Sequence, residues 1–91
     1  METWFEAEYI SRAVKTLQVS RYTTQYVTTA DGIRSKRRTE HTAIFPTFDE
    51  AKDSLVTYLR VQAEHHEYHA RHFREDEQKA IALTAPGRIK Y

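Results

Sequence analysis

The chain has 91 residues, of which 40% are hydrophobic and 30% charged, and its formal net charge is +1. These values indicate one soluble domain with a modest core, and they argue against a disordered or strongly basic chain. The absence of cysteine excludes disulfides, thiol catalysis and cysteine-ligated zinc. The sequence has no long apolar run and no signal-peptide core, so we expect a cytoplasmic protein that does not span a membrane.

The first half of the chain favours antiparallel strands. Apolar and polar residues alternate over 3–10 and 15–22, which is the period of a strand with one buried face. The inward-facing side chains would be Phe5, Ala7, Tyr9, Leu17 and Val19. Both segments are therefore predicted to place these residues in one core.

A hairpin is predicted next. Residues 25–30 are rich in Tyr, Val and Thr, which suit a strand. Asp31-Gly32 indicates a two-residue turn, because a type I′ turn needs positive φ at both central positions. The returning strand would run from Ile33 to about Thr39, which completes a meander.

A helix is predicted after the strands. No proline or glycine occurs between Pro46 and Pro86, and good helix formers dominate this stretch. Thr47 and Glu50 have the spacing of a capping box at its start. We therefore predict one helix over 48–83.

The predicted fold class is α+β, with a three- to four-stranded antiparallel meander packed on one long C-terminal helix. Residues 1–85 would form the single domain, and 86–91 a flexible tail. The helix would be roughly 54 Å long at 1.5 Å per residue. Strands of about seven residues span only about 24 Å, so half of the helix would extend past the sheet.

The overhanging half carries a heptad-like seam, which predicts a helix partner. The seam residues are Val56, Leu59, Ala63, His66, Ala70 and Phe73. The partner would be a second copy in a homodimer, or a host protein. Two alternatives are a solvated helix held by its salt bridges and a break near residue 75 with the chain folding back.

Four basic residues mark the fourth strand, namely Arg34, Lys36, Arg37 and Arg38. Alternation places Arg34, Lys36 and Arg38 on one face, where they could contact phosphates, and Tyr22 or Tyr26 could stack on bases. The alternative is an edge strand that its charges protect from strand addition.

Three histidines recur at i, i+4 and i+7 on the predicted helix: His65, His69 and His72. This spacing permits chelation of one divalent ion, whereas solvent-facing helix residues are the plainer interpretation. The zincin pattern is excluded by spacing. We predict no cofactor and no catalytic residue, and hence no enzyme.

The segment Ile44-Phe-Pro-Thr-Phe-Asp-Glu-Ala51 follows a sheet that begins with Trp4-Phe5 and a basic hairpin. In these features the chain resembles small uncharacterised proteins encoded by bacteriophages and other mobile elements. The resemblance implies an accessory factor in the host cytoplasm and supplies no active-site residue. The favoured function is a non-enzymatic protein-binding module that modulates or inhibits a host system, which could be a defence system. The alternative is nucleic-acid binding by Arg34–Arg38.

Overall fold

The computed structural model describes residues 1–65 and 70–89. These residues have an α+β fold, which agrees with the predicted class. The described elements are β1 (Glu2–Glu8), β2 (Ala13–Tyr22), β3 (Tyr26–Thr29), β4 (Arg34–Lys36), β5 (Thr42–Phe45), α1 (Phe48–His65), α2 (Ala70–Ile81) and β6 (Gly87–Arg88). Within these two ranges, neither helix is long and apolar enough to cross a membrane.

The strands pair antiparallel in the order β4-β3-β2-β1-β5, and β6 pairs with β2. The described sheet therefore has six strands rather than the three or four predicted, and β5 and β6 are the strands that the sequence did not indicate. The chain after β4 also reaches β5. The Arg37 amide donates to the Gln25 carbonyl at 2.9 Å, while the Arg37 carbonyl accepts from the Ile44 amide at 2.7 Å. Arg38 then forms a bridge with Ala43. The two ends of the sheet are therefore joined, and the sheet curls around an inner face.

Both faces of the curled sheet carry buried apolar side chains. The inner face holds Trp4, Leu17, Val19, Val27 and Ile44. The outer face packs against the helices, and Ala7 and Val14 are fully buried there. The prediction of one shared core for both strands is wrong, because Leu17 lies opposite Trp4 in the register and so faces away from Ala7. Two small cores replace the single predicted one.

Helix α1 begins as the sequence predicts. The Thr47 hydroxyl oxygen accepts a hydrogen bond from the Glu50 amide at 3.2 Å, which satisfies one of the free amides of the first turn. The buried residues recur at three- and four-residue steps, which give one apolar face: Ala51, Leu55, Val56, Leu59 and Ala63. This face packs on β1, β2 and β5.

The structure does not contain the single long helix predicted over 48–83. Helix α1 ends at His65, α2 begins at Ala70, and the two helices pack on each other. With so short a connection, helices in contact must run antiparallel. Arg60 on α1 donates to Glu77 on α2 at 2.9 Å. The longest dimension of the molecule is 41 Å, shorter than the predicted rod. The alternative prediction, in which the chain folds back, describes this arrangement, although α2 begins at Ala70 and the predicted break was near residue 75.

An ion pair fixes α2 to the sheet. Arg12, in the turn between β1 and β2, has a left-handed backbone with φ of 54°. Its guanidinium pairs with the Asp76 carboxylate and lies 5.5 Å from the centroid of the Phe73 ring. The Asp76 side chain is only 4% exposed, and the Arg12 side chain 27%. The pair therefore lies largely within the contact between α2 and the strands.

Part of the predicted tail over 86–91 is packed. Strand β6 pairs with the first two residues of β2. The Ile89 amide donates to the Arg12 carbonyl at 3.0 Å, and the Ile89 side chain is 2% exposed in the core beneath the helices. Residues 87–89 are thus held by strand pairing and apolar burial, because Ile89 completes the core that α2 closes.

Candidate nucleic-acid interface

The β3–β4 hairpin turns at the predicted position, but the predicted type I′ turn is wrong, because Gly32 has a positive φ and Asp31 does not. Gly32 has φ of +86°, and the Thr29 amide donates to the Ile33 carbonyl at 2.9 Å. The Thr29 hydroxyl donates to the Asp31 carboxylate, and this bond lowers the pKa of Asp31 below its usual value. The turn therefore carries an ionised carboxylate at neutral pH and fixes the register of the strands that follow.

The register places basic and aromatic side chains on the outer face of the hairpin. Tyr26 lies opposite Lys36, and Thr28 lies opposite Arg34. Arg38 follows in the same alternation and is exposed. The predicted common face of Arg34, Lys36 and Arg38 agrees with this register.

Tyr26 and Arg34 form the centre of this face. The Arg34 guanidinium lies 4.0 Å from the centroid of the Tyr26 ring, close enough for a cation–π contact. Tyr26 is half-buried, whereas Arg34 is exposed. The guanidinium is therefore held over the ring while remaining accessible to a ligand.

Arg21 is a member of this surface that the sequence did not indicate. Strict alternation from Val19 would place Arg21 on the inner face. A register shift between Val19 and Arg21 sets Arg21 opposite Thr28 instead. Arg21, Thr28 and Arg34 consequently form one row across three strands. A β-bulge re-aims side chains in this way, and its position has no clear signal in a single sequence.

Arg37 has a different role from its basic neighbours. Its guanidinium lies 4.8 Å from the centroid of the Trp4 ring, and Nη1 donates to the Thr23 carbonyl at 3.1 Å. Tyr22 also packs on Trp4, with ring centroids 4.8 Å apart. Arg37 therefore covers the inner core and does not belong to the outer hairpin face.

The charge of the surface is strongly one-sided. Residues 20–39 contain five basic residues and one acidic residue, Asp31. The basic ones are Arg21, Arg34, Lys36, Arg37 and Arg38. None of these five forms an ion pair with a residue that the structure describes. Shallow clefts flank Tyr26 on both sides, one reaching Lys36 and Arg38 and the other reaching Arg21.

The predicted helix seam is occupied by the chain itself. Val56, Leu59 and Ala63 are buried against the sheet and α2, and Phe73 is half-buried beside the same core. Ala70 is the first residue of α2. His66 lies outside the described residues. The seam residues Val56, Leu59 and Ala63 therefore do not form a free surface for a second copy.

The histidine arrangement also changes. His65 is the last residue of α1, His72 lies on α2, and both are exposed. The i, i+7 spacing no longer places them on one helix face, since they belong to two helices. His69 lies outside the described residues. Across residues 1–65 and 70–89, no group of three His, Asp or Glu side chains is placed to hold a metal ion.

No protein-family model, curated protein or solved structure is significantly similar to this chain. The function must therefore be argued from the surface itself.

Proposed function

We propose that this chain is a binding module without catalytic activity, and that its outer hairpin face binds single-stranded nucleic acid. The observation that carries the proposal is the row of Arg21, Thr28 and Arg34, with the Arg34 guanidinium over Tyr26. The row combines cations for phosphates with a planar group for bases.

The phosphate contacts would come from the exposed cations. Arg21, Lys36 and Arg38 are exposed and have no ion pair within the described part of the chain. Cations without a carboxylate partner can neutralise phosphates and release counterions, which drives binding without sequence preference. Asp31 lies at the turn, at the end of the hairpin.

The base contact would come from Arg34. A guanidinium supported by an aromatic ring on one side presents its other side to a base, and arginine planes stack on unpaired bases in this way. Bases of a duplex are stacked on each other and do not offer their faces. The geometry therefore favours a single strand over a duplex.

Salt dependence tests the proposal. We expect a fluorescently labelled oligothymidine to bind in an anisotropy titration, with log K falling against log salt at a slope of about −3. This slope corresponds to four cations, Arg21, Arg34, Lys36 and Arg38, at about −0.7 each. A duplex of equal length should bind more weakly at the same salt concentration.

Two variants separate charge from stacking. Arg34→Ala combined with Lys36→Ala should reduce the slope by about 1.4. Arg34→Lys keeps the charge but removes the planar guanidinium group. The slope of log K against log salt should therefore persist, while the affinity falls on the order of tenfold. Arg71→Ala removes an exposed cation of α2 and serves as the matched control with unchanged binding. Absence of binding at low salt, or equal effects of all three variants, would refute the proposal.

The protein-binding role implied by the phage resemblance stays a prediction. Its ground was the overhanging helix, and in the structure Val56, Leu59 and Ala63 instead face the chain's own core. A variant of those residues would therefore alter folding rather than a partner contact.

A further inference from the structure

A second surface feature is independent of the basic face. An open, shallow cavity of about 470 Å³ lies beside the β3–β4 turn, and residues of all five strands from β1 to β5 line it. Its walls include the aliphatic side chains of Leu17, Ile33 and Ile44, and its charged groups are Glu6 and Asp31. Ile33 is 58% exposed at the mouth, although it is a large apolar residue. The cavity thus joins apolar walls to carboxylates.

Glu6 is the unusual member of this cavity. It is half-buried on β1, with Ile44 of β5 on one side and Lys15 of β2 on the other. The Lys15 ammonium does not pair with it, because it lies 2.9 Å from a carboxylate oxygen of Glu8. Glu6 has no ion pair or side-chain hydrogen bond among the described residues. The cavity therefore has a half-buried carboxylate that has no ion pair among the described residues, although the Lys15 charge on the neighbouring strand partly offsets its own.

The pKa of Glu6 agrees with this geometry. Burial raises the pKa of Glu6 above its ordinary value, the nearby Glu8 carboxylate adds to the increase, and Lys15 opposes it. A cation placed in the cavity would compensate the lost hydration and favour the ionised form.

We propose that this cavity binds the side chain of a lysine from another protein. A lysine has an ammonium group at the end of a flexible four-carbon stem. The stem matches the walls formed by Leu17, Ile33 and Ile44, and the ammonium matches the carboxylate of Glu6. The Asp31 carboxylate at the mouth adds attraction for a cation. The basic hairpin face is a separate site, and the two proposals can fail independently.

The test is an NMR titration of the full chain with Nα-acetyl-lysine N-methylamide, observing the isoleucine methyl groups. We expect saturable shifts at Ile33 and Ile44. The neutral analogue Nα-acetyl-norleucine N-methylamide has a similar stem without the charge, and it should bind at least about tenfold more weakly.

Two substitutions locate the site. Glu6→Gln keeps the shape of the side chain and should weaken lysine binding by about tenfold or more. Glu75→Gln is the matched control, because Glu75 pairs with Arg71 on α2 and does not line the cavity, and binding should persist. Ile33→Ser changes an exposed wall residue and should also weaken binding without disturbing the core.

Three results would overturn the proposal: no saturable shift with the lysine probe, equal binding of the norleucine probe, or unchanged binding by Glu6→Gln. Oligonucleotide binding should be unaffected by Glu6→Gln, so a loss of both activities in this variant would indicate misfolding, which its amide spectrum reports directly. In that case, the effect of Ile33→Ser on binding of the lysine probe tests the proposal.

Discussion

The ion pair between Arg12 and Asp76 should be a major determinant of stability. Asp76→Asn keeps the shape of the side chain and removes its charge. The Arg12 guanidinium is then left in the contact between α2 and the sheet without its carboxylate partner. Removing one member of a buried pair costs about 3–5 kcal/mol. Because the Arg12 side chain is 27% exposed and retains some water, we expect a loss of about 2–4 kcal/mol.

A chain of this length has a free energy of unfolding of about 5–14 kcal/mol. The substitution should therefore remove a large part of the stability and lower Tm by about 10–25 °C. Urea denaturation followed by far-UV circular dichroism and by Trp4 fluorescence measures the change. Trp4 lies in the inner core, away from α2, so coincident curves from the two probes indicate loss of the whole fold rather than detachment of the helix.

Glu75→Gln supplies the matched control. Glu75 is the neighbouring residue on α2, and its pair with Arg71 is exposed. Surface pairs contribute about 0–1 kcal/mol, so this variant should lie close to the wild type. The reasoning is refuted if Asp76→Asn costs no more than Glu75→Gln. A double-mutant cycle with Arg12→Gln should give a coupling energy of about 1–3 kcal/mol.

Two further predictions concern single positions. Since the pKa of Glu6 is raised in the folded state, the folded chain binds more protons than the unfolded chain above about pH 4.5, and stability falls as pH rises through that window. Glu6→Gln should therefore raise Tm at neutral pH, and the gain should vanish below pH 4.5, the ordinary pKa of a glutamate. A gain in Tm that stays constant with pH would contradict this origin. Gly32→Ala should cost about 1–2 kcal/mol because of its positive φ, although a methyl group there would meet open space. Gly87→Ala also meets open space without positive φ, and thermal denaturation should show it near the wild type; equal losses would argue against backbone strain.

The hairpin could be predicted because its signals are local. Asp31-Gly32 marks the position of the turn, although its type was not the predicted one, and alternation on either side then sets which side chains share a face. The same reasoning found the start of α1 at Thr47, where a side chain satisfies a nearby amide. These features depend on neighbours within a few residues.

The sequence alone does not distinguish one long helix with a partner from two helices that fold back on each other. Phe73 and Ala80 require apolar contacts, and a second copy of the chain or the chain's own core would satisfy them equally well. Helix propensity is high throughout 48–81, so it does not identify a break. The burial of Asp76 has no local signal in the sequence, because its partner, Arg12, lies far away along the chain.

The basic surface was only partly predictable for a similar reason. Alternation brought Arg34 and Lys36 together, but the register shift in β2 decided that Arg21 joins them. Arg37 was placed among the contacts, yet it packs on Trp4 because the two ends of the sheet meet there. The position of Arg21 depends on a bulge in the pairing of two neighbouring strands, and that of Arg37 depends on a contact with Trp4, far away in the sequence.

The placement of β6 has a consequence for how the molecule forms. It joins Val14 to Gly87 and Ala13 to Arg88, segments about 75 positions apart. Closing so long a loop is entropically costly and slows folding, since contacts of high sequence separation form late. On the ribosome, the core between the sheet and the helices would remain incomplete until Ile89 has emerged.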